Sequence, residues 1–415
     1  MSKHKDVAVV VQTVVQFFNI KNGIDELLKN KITCDIFVPY YDDNEGYKDI
    51  YDETYRKICQ MGYTVKRKTD DTKYKILLEA YPIDDIILPK HKYRLKYLYS
   101  STVGVKPNLS LKPDFLLKFD GIFVYNMEEK EYLSAFCKTF LIGNLKFKNF
   151  KKKNAKGKTI LYLPTYGDSS DIDYTVDLIK KLKGKYKVYI KAHHGTDFLN
   201  NEKERLNKIK QSCDKFYNSS ENLIDILSEV DLVISDNSGA IFDSLYAEVP
   251  VVIFSKDINR NKINDDFNTE QYELVEKGII PFTDNPNDIE KLVEKGFESG
   301  TLKKQLKYKY DEFYCPKDNV KDFIEIINDF LNDNINKKYK ILHDRILKYC
   351  DNLTQENIKI INNYNVLNEA YNNTIKEMEN YKKKVEYLEN NNKLLDNRFN
   401  RIYIKIRSKF GGKNE

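Results

Sequence analysis

Short apolar runs alternate with amphipathic stretches along the first 147 residues, and this alternation constrains the fold more than any other feature. The apolar runs predict β-strands at Val7–Val11, Cys34–Val38, Lys75–Ala80, Leu95–Ser100, Gly121–Tyr125 and Thr139–Ile142. Helical stretches lie between several of them, such as Gly23–Asn30 and Lys48–Met61. Strands that alternate with helices are typical of an α/β unit with a mainly parallel sheet.

A second α/β series follows the basic segment Lys146–Lys158. Its predicted strands are 158–165, 187–193, 214–218, 231–235 and 249–255, and its predicted helices are 172–182, 202–211, 222–229 and 240–247. A further helix over 317–333 closes the series. Two such units in tandem predict two Rossmann-like domains that face a cleft, with ligands beyond the carboxyl ends of the strands. We expect domains at 1–147 and 158–335, joined by a basic linker at 148–157.

The remaining residues, 336–415, form a tail in which apolar residues follow alternating three- and four-residue steps. The steps join Leu353, Ile360, Tyr364, Leu367, Tyr371, Thr374, Met378, Tyr381, Val385, Leu388, Asn392, Leu395 and Phe399. This heptad seam favours a helical coiled coil over a single surface helix, and it predicts a homo-oligomer through 353–399. The polar Asn392 on the seam fixes register.

Composition and charge exclude several classes. Lys plus Arg number 69 and Asp plus Glu 63, and a net charge of +6 gives little reason to expect nucleic acid as a partner. No apolar run is long enough to span a membrane, and Gln12 and Gln16 interrupt the first run, so we read it as a strand entering a helix rather than a signal peptide. The six cysteines show no CxxC pair, which predicts reduced thiols in a cytoplasmic protein without a zinc site.

The chain ends on a basic segment, 398–413, in which arginine and lysine alternate with isoleucine, tyrosine and phenylalanine. Such a segment can lie on an anionic membrane surface, which would make the protein peripheral on the inner face of the cell membrane. A solvated basic tail explains the same pattern equally well.

The window Val230–Asp257 carries the most chemical information. An apolar strand ends at Ser235-Asp236-Asn237-Ser238-Gly239, and a helix begins at once. Backbone N–H groups at a helix N-terminus, beside the Ser238 hydroxyl, suit a phosphate or pyrophosphate. The same residues are also good helix caps, and the spacing does not separate the two readings.

Two further windows end predicted strands at the same edge. His193 and His194 follow the strand of 187–193, and Thr165 and Tyr166 follow that of 158–165. A histidine at such an edge can donate to a phosphate or act as an acid or base. A loop histidine without any such role is the more frequent case.

Together these windows resemble the donor half of the CDP-glycerol glycerophosphotransferases, which build teichoic acids and capsule polymers. The matching residues are Pro164-Thr165-Tyr166, Lys191 with His193, and Asp236 with Ser238 followed by Asp243, while Phe140–Phe147 resembles the segment before the family's linker. The resemblance implies a GT-B fold and transfer of glycerol phosphate from CDP-glycerol to a hydroxyl of a polysaccharide or lipid-linked acceptor, with release of CMP and without a metal or other cofactor. It implies catalytic roles for His193 and Asp236, and donor contacts by Thr165, Tyr166, Lys191, His194, Ser238, Gly239 and Asp243.

The first domain departs from the family pattern. Where the family has a His-Gly that supplies the base, the strand end Tyr97–Asn108 carries Ser100, Ser101 and Thr102. A different base is then needed, with Asp120, Glu128 and Glu129 as candidates. Two alternatives stay open: a GT-B glycosyltransferase that uses a nucleotide sugar, and a non-catalytic scaffold that is oligomerised by its coiled coil.

Overall fold

The structure is a computed structural model. It describes residues 4–39, 47–80, 88–97, 116–148, 150–153, 158–165, 171–193, 196, 202–236, 238–256, 270–309, 320–335 and 337–410. The chain divides into two compact units, Met1–Asp344 and Arg345–Glu415. The first unit holds two parallel sheets, and the second consists of one helix.

The first sheet has seven parallel strands, in the order β3-β2-β1-β4-β5-β6-β7. They are β1 His4–Val10, β2 Cys34–Phe37, β3 Val65–Lys66, β4 Lys73–Glu79, β5 Lys90–Lys96, β6 Gly121–Val124 and β7 Thr139–Leu141. The central strands are buried on both faces because helices cover them, as parallel sheets require. The strand order reverses between β1 and β4.

Four helices are assigned to this part of the fold: α1 Val14–Lys29, α2 Tyr47–Gln60, α3 Met127–Leu133 and, from far along the chain, α11 Val320–Leu331. Phe323, Ile327 and Phe330 of α11 belong to the hydrophobic core of the first sheet. Asp333, just beyond α11, pairs with Lys75 and Lys92 of the same sheet, at 2.7 Å each. The chain therefore returns to the first sheet after it completes the second.

The second sheet has six parallel strands, in the order β10-β9-β8-β11-β12-β13. They are β8 Thr159–Leu163, β9 Lys187–Lys191, β10 Lys215–Tyr217, β11 Leu232–Ser235, β12 Val251–Phe254 and β13 Phe282–Thr283. The helices are α4 Thr175–Leu182, α5 Glu202–Ser212, α6 Leu223–Leu227, α7 Ala240–Tyr246, α8 Glu270–Glu276, α9 Ile289–Phe297 and α10 Ser299–Tyr308. The order reverses between β8 and β11, which is where doubly wound sheets bind ligands.

The predicted fold class is confirmed: two parallel α/β sheets with the strand order of Rossmann-like domains, plus a long C-terminal helix. The two α/β domain boundaries and the linker at 148–157 stay predictions. Residues 145–147 form a 3₁₀ turn against α1, where Asn22 donates to the Leu145 carbonyl at 2.8 Å. Lys153 N–H donates to the Ser228 carbonyl at 2.9 Å, so this part of the linker lies against the second sheet's helices.

Two predicted elements were wrong in position. The first helix begins at Val14 and not at Gly23, because Thr13 accepts from Gln16 N–H at 3.2 Å while Gln16 Oε1 accepts from Gln12 N–H at 2.6 Å. The strand predicted at Leu95–Ser100 is β5, which runs from Lys90 to Lys96. Ser100 lies outside the described residues.

The described residues of the second unit all belong to α12, a helix of 74 residues that runs from Lys337 to Phe410. Within the described residues, no helix is long and apolar enough to cross a membrane.

Candidate functional site

The two strands at the switch point of the second sheet are joined at their carboxyl ends by Asp236. This carboxylate follows β11 and accepts from Thr165 N–H, beyond β8, with both oxygens at 3.0 and 2.8 Å. One residue earlier, Ser235 Oγ donates to the Leu163 carbonyl at 3.0 Å. These contacts fix the backbone of the Pro164-Thr165 turn against β11, at the edge where a ligand of this fold binds.

Asp236 is fully buried, and burial has an electrostatic consequence. Desolvation raises the pKa of Asp236 to about 7; the Thr165 N–H acts against this rise, and the charge of the nearby Asp171 adds to it. Asp171 is itself buried, and its Oδ2 accepts from Lys256 N–H at 3.2 Å beyond β12. Two carboxyl groups thus organise the loops that follow β8, β11 and β12.

His193 and Thr165 follow neighbouring strands. Tyr162 of β8 pairs with Ile190 of β9, and Thr165 and His193 each lie three residues beyond that pair. Leu163 pairs with Ser235 in the same way, which puts Asp236 and the following turn on the other side of Thr165. His193 is half-buried, and its carbonyl accepts from Thr196 N–H at 3.0 Å. The fold therefore brings His193, Thr165 and Asp236 to one edge.

Ser238 and Gly239 lead into α7, a short helix of seven residues. The N-cap residue is Gly239, and the buried Ser238 before it accepts from the first helical N–H, that of Ala240, at 3.3 Å through Oγ. The role of Ser238 as a donor contact stays a prediction, and so does that of Gly239.

Lys191 and Asp243 are both engaged by other protein groups. The buried Lys191 ammonium, at the end of β9, donates to the Ser219 carbonyl at 2.6 Å and the Asn218 carbonyl at 3.4 Å. Asp243 on α7 forms an ion pair with Lys146 at 2.5 Å, and both side chains are largely buried. These contacts show Lys191 supporting the turn after β10 and Asp243 tying α7 to the 145–147 turn. Direct contact of either residue with a donor stays a prediction.

Three predicted residues cannot be placed. Tyr166 and His194 lie outside the described residues, and so does the side chain of Glu128.

The other two candidate bases in the first domain have structural partners. Asp120 Oδ2 accepts from Arg94 N–H at 2.8 Å. Glu129 accepts from Tyr125 N–H at 2.7 Å, and Asn126 Oδ1 accepts from Glu129 N–H at 2.8 Å. The second pair is a cap at the start of α3, which explains why Glu129 is fully buried. Neither contact favours Asp120 or Glu129 as a base.

A buried charged group at the switch point of the first sheet escaped the sequence analysis. Glu79 ends β4, next to Val10 of β1 and Lys96 of β5 in register. Glu79 pairs with Arg94, and Lys96 donates to the Ala80 carbonyl; the Phe119 ring lies 5.4 Å from Arg94 and 5.8 Å from Lys96. Burial lowers the pKa of Lys96 to about 8, while the charge of Glu79 acts in the opposite direction. The available signal was that β4 ends on a charged residue, Glu79, directly after the apolar run Ile76–Leu78.

A cavity of about 750 Å³ lies between α1, α2, the linker and α6. It is lined by six lysines, Lys21, Lys57, Lys146, Lys148, Lys151 and Lys153. Carboxylates hold most of them: Lys21 pairs with Asp25 at 2.7 Å and Lys153 with Glu229 at 2.9 Å, and Lys148 pairs with Glu26. Two of the lysines join the parts that belong to the two sheets, because Lys146 pairs with Asp243 on α7 and Lys57 on α2 donates to Ser220.

Among the described residues, no cluster of three or more His, Cys, Asp or Glu side chains could hold a metal ion.

A comparison with protein families bears on the second sheet. A family model described as CDP-Glycerol:Poly(glycerophosphate) glycerophosphotransferase matches residues 149–296. The second sheet is therefore similar to this glycerophosphotransferase family. The match spans β8 to α9 and includes Thr165, Lys191, His193, Asp236, Ser238 and Asp243, so the predicted family resemblance is confirmed for the region that carried it.

Solved structures resemble the chain over a longer stretch. The wall teichoic acid polymerase TagF superposes with a TM-score of 0.54 at 12% identity, covering 79% of this chain and 88% of TagF. A TagF variant soaked with CDPG gives a TM-score of 0.53 at 13% identity, with coverage of 79% and 88%. At such identity the likeness concerns the fold, and it extends the GT-B-like architecture over both sheets. No curated protein sequence matches the chain.

Proposed function

We propose that the protein transfers a polyol-phosphate unit, glycerol phosphate in the simplest case, from a CDP-activated donor to a hydroxyl of a cell-surface polymer. The proposal rests on a sequence match and on the position of the matched residues in the fold. Residues 149–296 match the glycerophosphotransferase family. Thr165 and Asp236, at the switch point of the second sheet, are hydrogen-bonded to each other, and His193 follows the adjacent strand β9.

In the proposed reaction the acceptor hydroxyl oxygen attacks the β-phosphorus of the donor. A new P–O bond forms, the bond from that phosphorus to the bridging oxygen breaks, and CMP leaves with the electron pair. The His193 imidazole donates to a phosphate oxygen, where it offsets the charge that develops on the transferring group. Asp236 has both oxygens on Thr165 N–H, so its part is to position the Thr165 turn.

The hydroxyl proton requires a base on the acceptor side. The first sheet offers Glu79 at its own switch point, paired with Arg94 and in register with Lys96. Asp120 and Glu129 accept from backbone N–H groups, as Glu79 accepts from Arg94, but Glu79 lies at the strand end of the switch point. We place the acceptor side at the edge that holds Glu79 and Lys96.

The direct test is CMP release by the full-length protein, given CDP-glycerol and a glycerol-phosphate oligomer as acceptor. We expect His193→Ala to lower kcat about a hundredfold or more, because one charged donor to the transition state is lost. His4→Ala, at the exposed start of β1, is the matched control and should keep full activity. Release of CMP at an unchanged rate by His193→Ala would remove this histidine from the site.

The glycosyltransferase and scaffold alternatives make different predictions in the same assay. A nucleotide-sugar enzyme would release UDP or another nucleoside diphosphate from a sugar donor and no CMP. A scaffold would release neither, although it would fold normally by circular dichroism.

A peripheral membrane location at the inner face belongs to the same proposal. Phe399 and Ile402 on α12 are 70% and 54% exposed, and the neighbouring Arg398, Arg401 and Lys405 are exposed as well. Apolar side chains among exposed cations suit an anionic lipid surface. Co-sedimentation with phosphatidylserine vesicles, and none with phosphatidylcholine vesicles, is the expected result; equal binding to both, or to neither, would contradict it.

A further inference from the structure

The C-terminal helix exposes a continuous apolar seam that has no partner within its own unit. Over residues 352–390 every described side chain of α12 is exposed. Leu367, Met378 and Tyr381 are 69%, 67% and 69% exposed, although they are apolar or aromatic. Large side chains in a continuous row are not left in water without cost, so this row marks an interface.

The register of the seam identifies its partner. When Tyr364 and Tyr371 are placed at the first core position of the heptad, a, the second core position, d, falls on Leu367, Thr374, Tyr381 and Leu388. Polar Asn357 and Asn392 then fall at a, 35 residues, five heptads, apart. In a parallel pair of identical helices in register, each asparagine faces its own copy and the two amides can hydrogen-bond. An antiparallel or shifted pair would leave these amides against apolar side chains.

The charges that flank the seam agree with the same arrangement. The flanking positions g and e carry Glu377 and Lys384 at g, and Lys382 and Glu389 at e. A parallel pair in register brings each g residue opposite the e residue five places further along in the partner. Glu377 then meets Lys382 of the second copy, and Lys384 meets Glu389 of the second copy, so both contacts are attractive. All four side chains are exposed in the single chain.

We propose that two copies of this protein associate through α12 as a parallel, in-register, two-stranded coiled coil centred on residues 357–392. The proposal does not rest on the transferase chemistry. A protein that lacks transfer activity would still dimerise, and a monomer would still be able to catalyse the transfer.

The test uses the mass of the full-length protein in solution, measured by light scattering during size-exclusion chromatography. The wild type should run at twice the chain mass of 49.0 kDa. Lys384→Glu and Glu389→Lys each replace two attractive contacts with two repulsive ones, so each variant alone should dimerise about tenfold more weakly. An equimolar mixture of the two should regain wild-type affinity, since each g residue again meets an opposite charge.

The matched controls reverse charges that point away from the seam. Lys383 occupies the outermost position f and Glu386 the position b, so Lys383→Glu and Glu386→Lys should leave the dimer unchanged. The Kd of a stable dimer lies well below a concentration of about 100 μM. A wild-type protein that is still monomeric at that concentration would therefore overturn the proposal. So would a mixture of Lys384→Glu and Glu389→Lys that associates no better than either variant alone, because only the parallel register predicts the rescue.

Discussion

At the scale of single residues, the switch point of the second sheet is held together by the carboxyl group of Asp236. Asp236 joins the ends of β8 and β11 through Thr165 N–H. Because the side chain is fully buried, its ionised form is costly, and its pKa rises to about 7. The contact between the ends of β8 and β11 is therefore coupled to proton binding by Asp236 near neutral pH.

Asp236→Asn tests this coupling through stability. The pKa of Asp236 is about 7 in the folded protein, above the ordinary pKa of an aspartate in the unfolded chain. Between these two pKa values the folded wild type therefore binds more protons than the unfolded chain. Its stability therefore falls as pH rises from about 4 to 7. Asparagine does not ionise, so the Asp236→Asn variant does not lose this stability as the pH rises. Its free energy of unfolding relative to wild type should be higher at pH 8 than at pH 5, by on the order of 2 kcal/mol.

Urea denaturation at the two pH values measures this difference, and any constant effect of the lost hydrogen bond cancels. A relative stability that does not change with pH would show that Asp236 is ionised throughout. Asp231→Asn is a control, because Asp231 is only half-buried and accepts from Thr159 N–H at 2.9 Å at the opposite end of β8.

At the scale of elements, helix α9 packs closely on the second sheet. A Cβ added at Gly296 would lie 2.7 Å from both Leu232 Cδ1 and Val252 Cγ1, on β11 and β12. The glycine thus permits the approach of the helix to the two strands that lead into the site. Its conformation is ordinary for a helix, so the reason for glycine here is space.

Gly296→Ala should destabilise the protein by about 1–3 kcal/mol, because overpacking moves the helix or the two strands. Gly300→Ala is the matched control: nothing lies within 4 Å of its added Cβ, and it is in α10. That variant should be neutral or more stable by up to about 1 kcal/mol. Thermal unfolding compares the two, and an equal change in both variants would contradict the account of the packing.

Much of this element layout could be predicted from the sequence. Buried parallel strands must be apolar on both faces, so β8, β9, β11 and β12 stood out as runs of Ile, Leu, Val and Tyr. The two-residue strands β3 and β13 are too short to show a pattern. The start of α1 was missed because its signal is the Gln12-Thr13-Gln16 cap, while the predicted start at Gly23 followed a local turn residue.

The site was partly predictable for a related reason. Thr165, His193 and Asp236 follow apolar runs directly, and parallel strands bring their ends together. Pairwise partners could not be read from spacing: the ion pair of Asp243 with Lys146 depends on how the two sheets pack. Glu79 and Lys96 were overlooked because charged residues usually lie at the surface. Here both side chains are buried on neighbouring strands, and Lys96 lies over the ring of Phe119.

At the scale of the whole molecule, the proposed donor and acceptor sites lie at the switch points of two sheets within one compact unit. The return of α11 to the first sheet and the lysine-lined cavity both join these sheets. The C-terminal helix forms a separate unit with its own interface. Catalysis and association are therefore expected to respond to different substitutions.

The identity of the donor is the central claim, and calorimetric titration of the full-length protein tests it most directly. CDP-glycerol should bind with one site per chain, and His193→Ala should weaken that binding while His4→Ala leaves it unchanged. UDP-sugars should give no heat beyond dilution. Binding of a UDP-sugar without binding of CDP-glycerol would contradict the account and would favour a glycosyltransferase at the same edge of the second sheet.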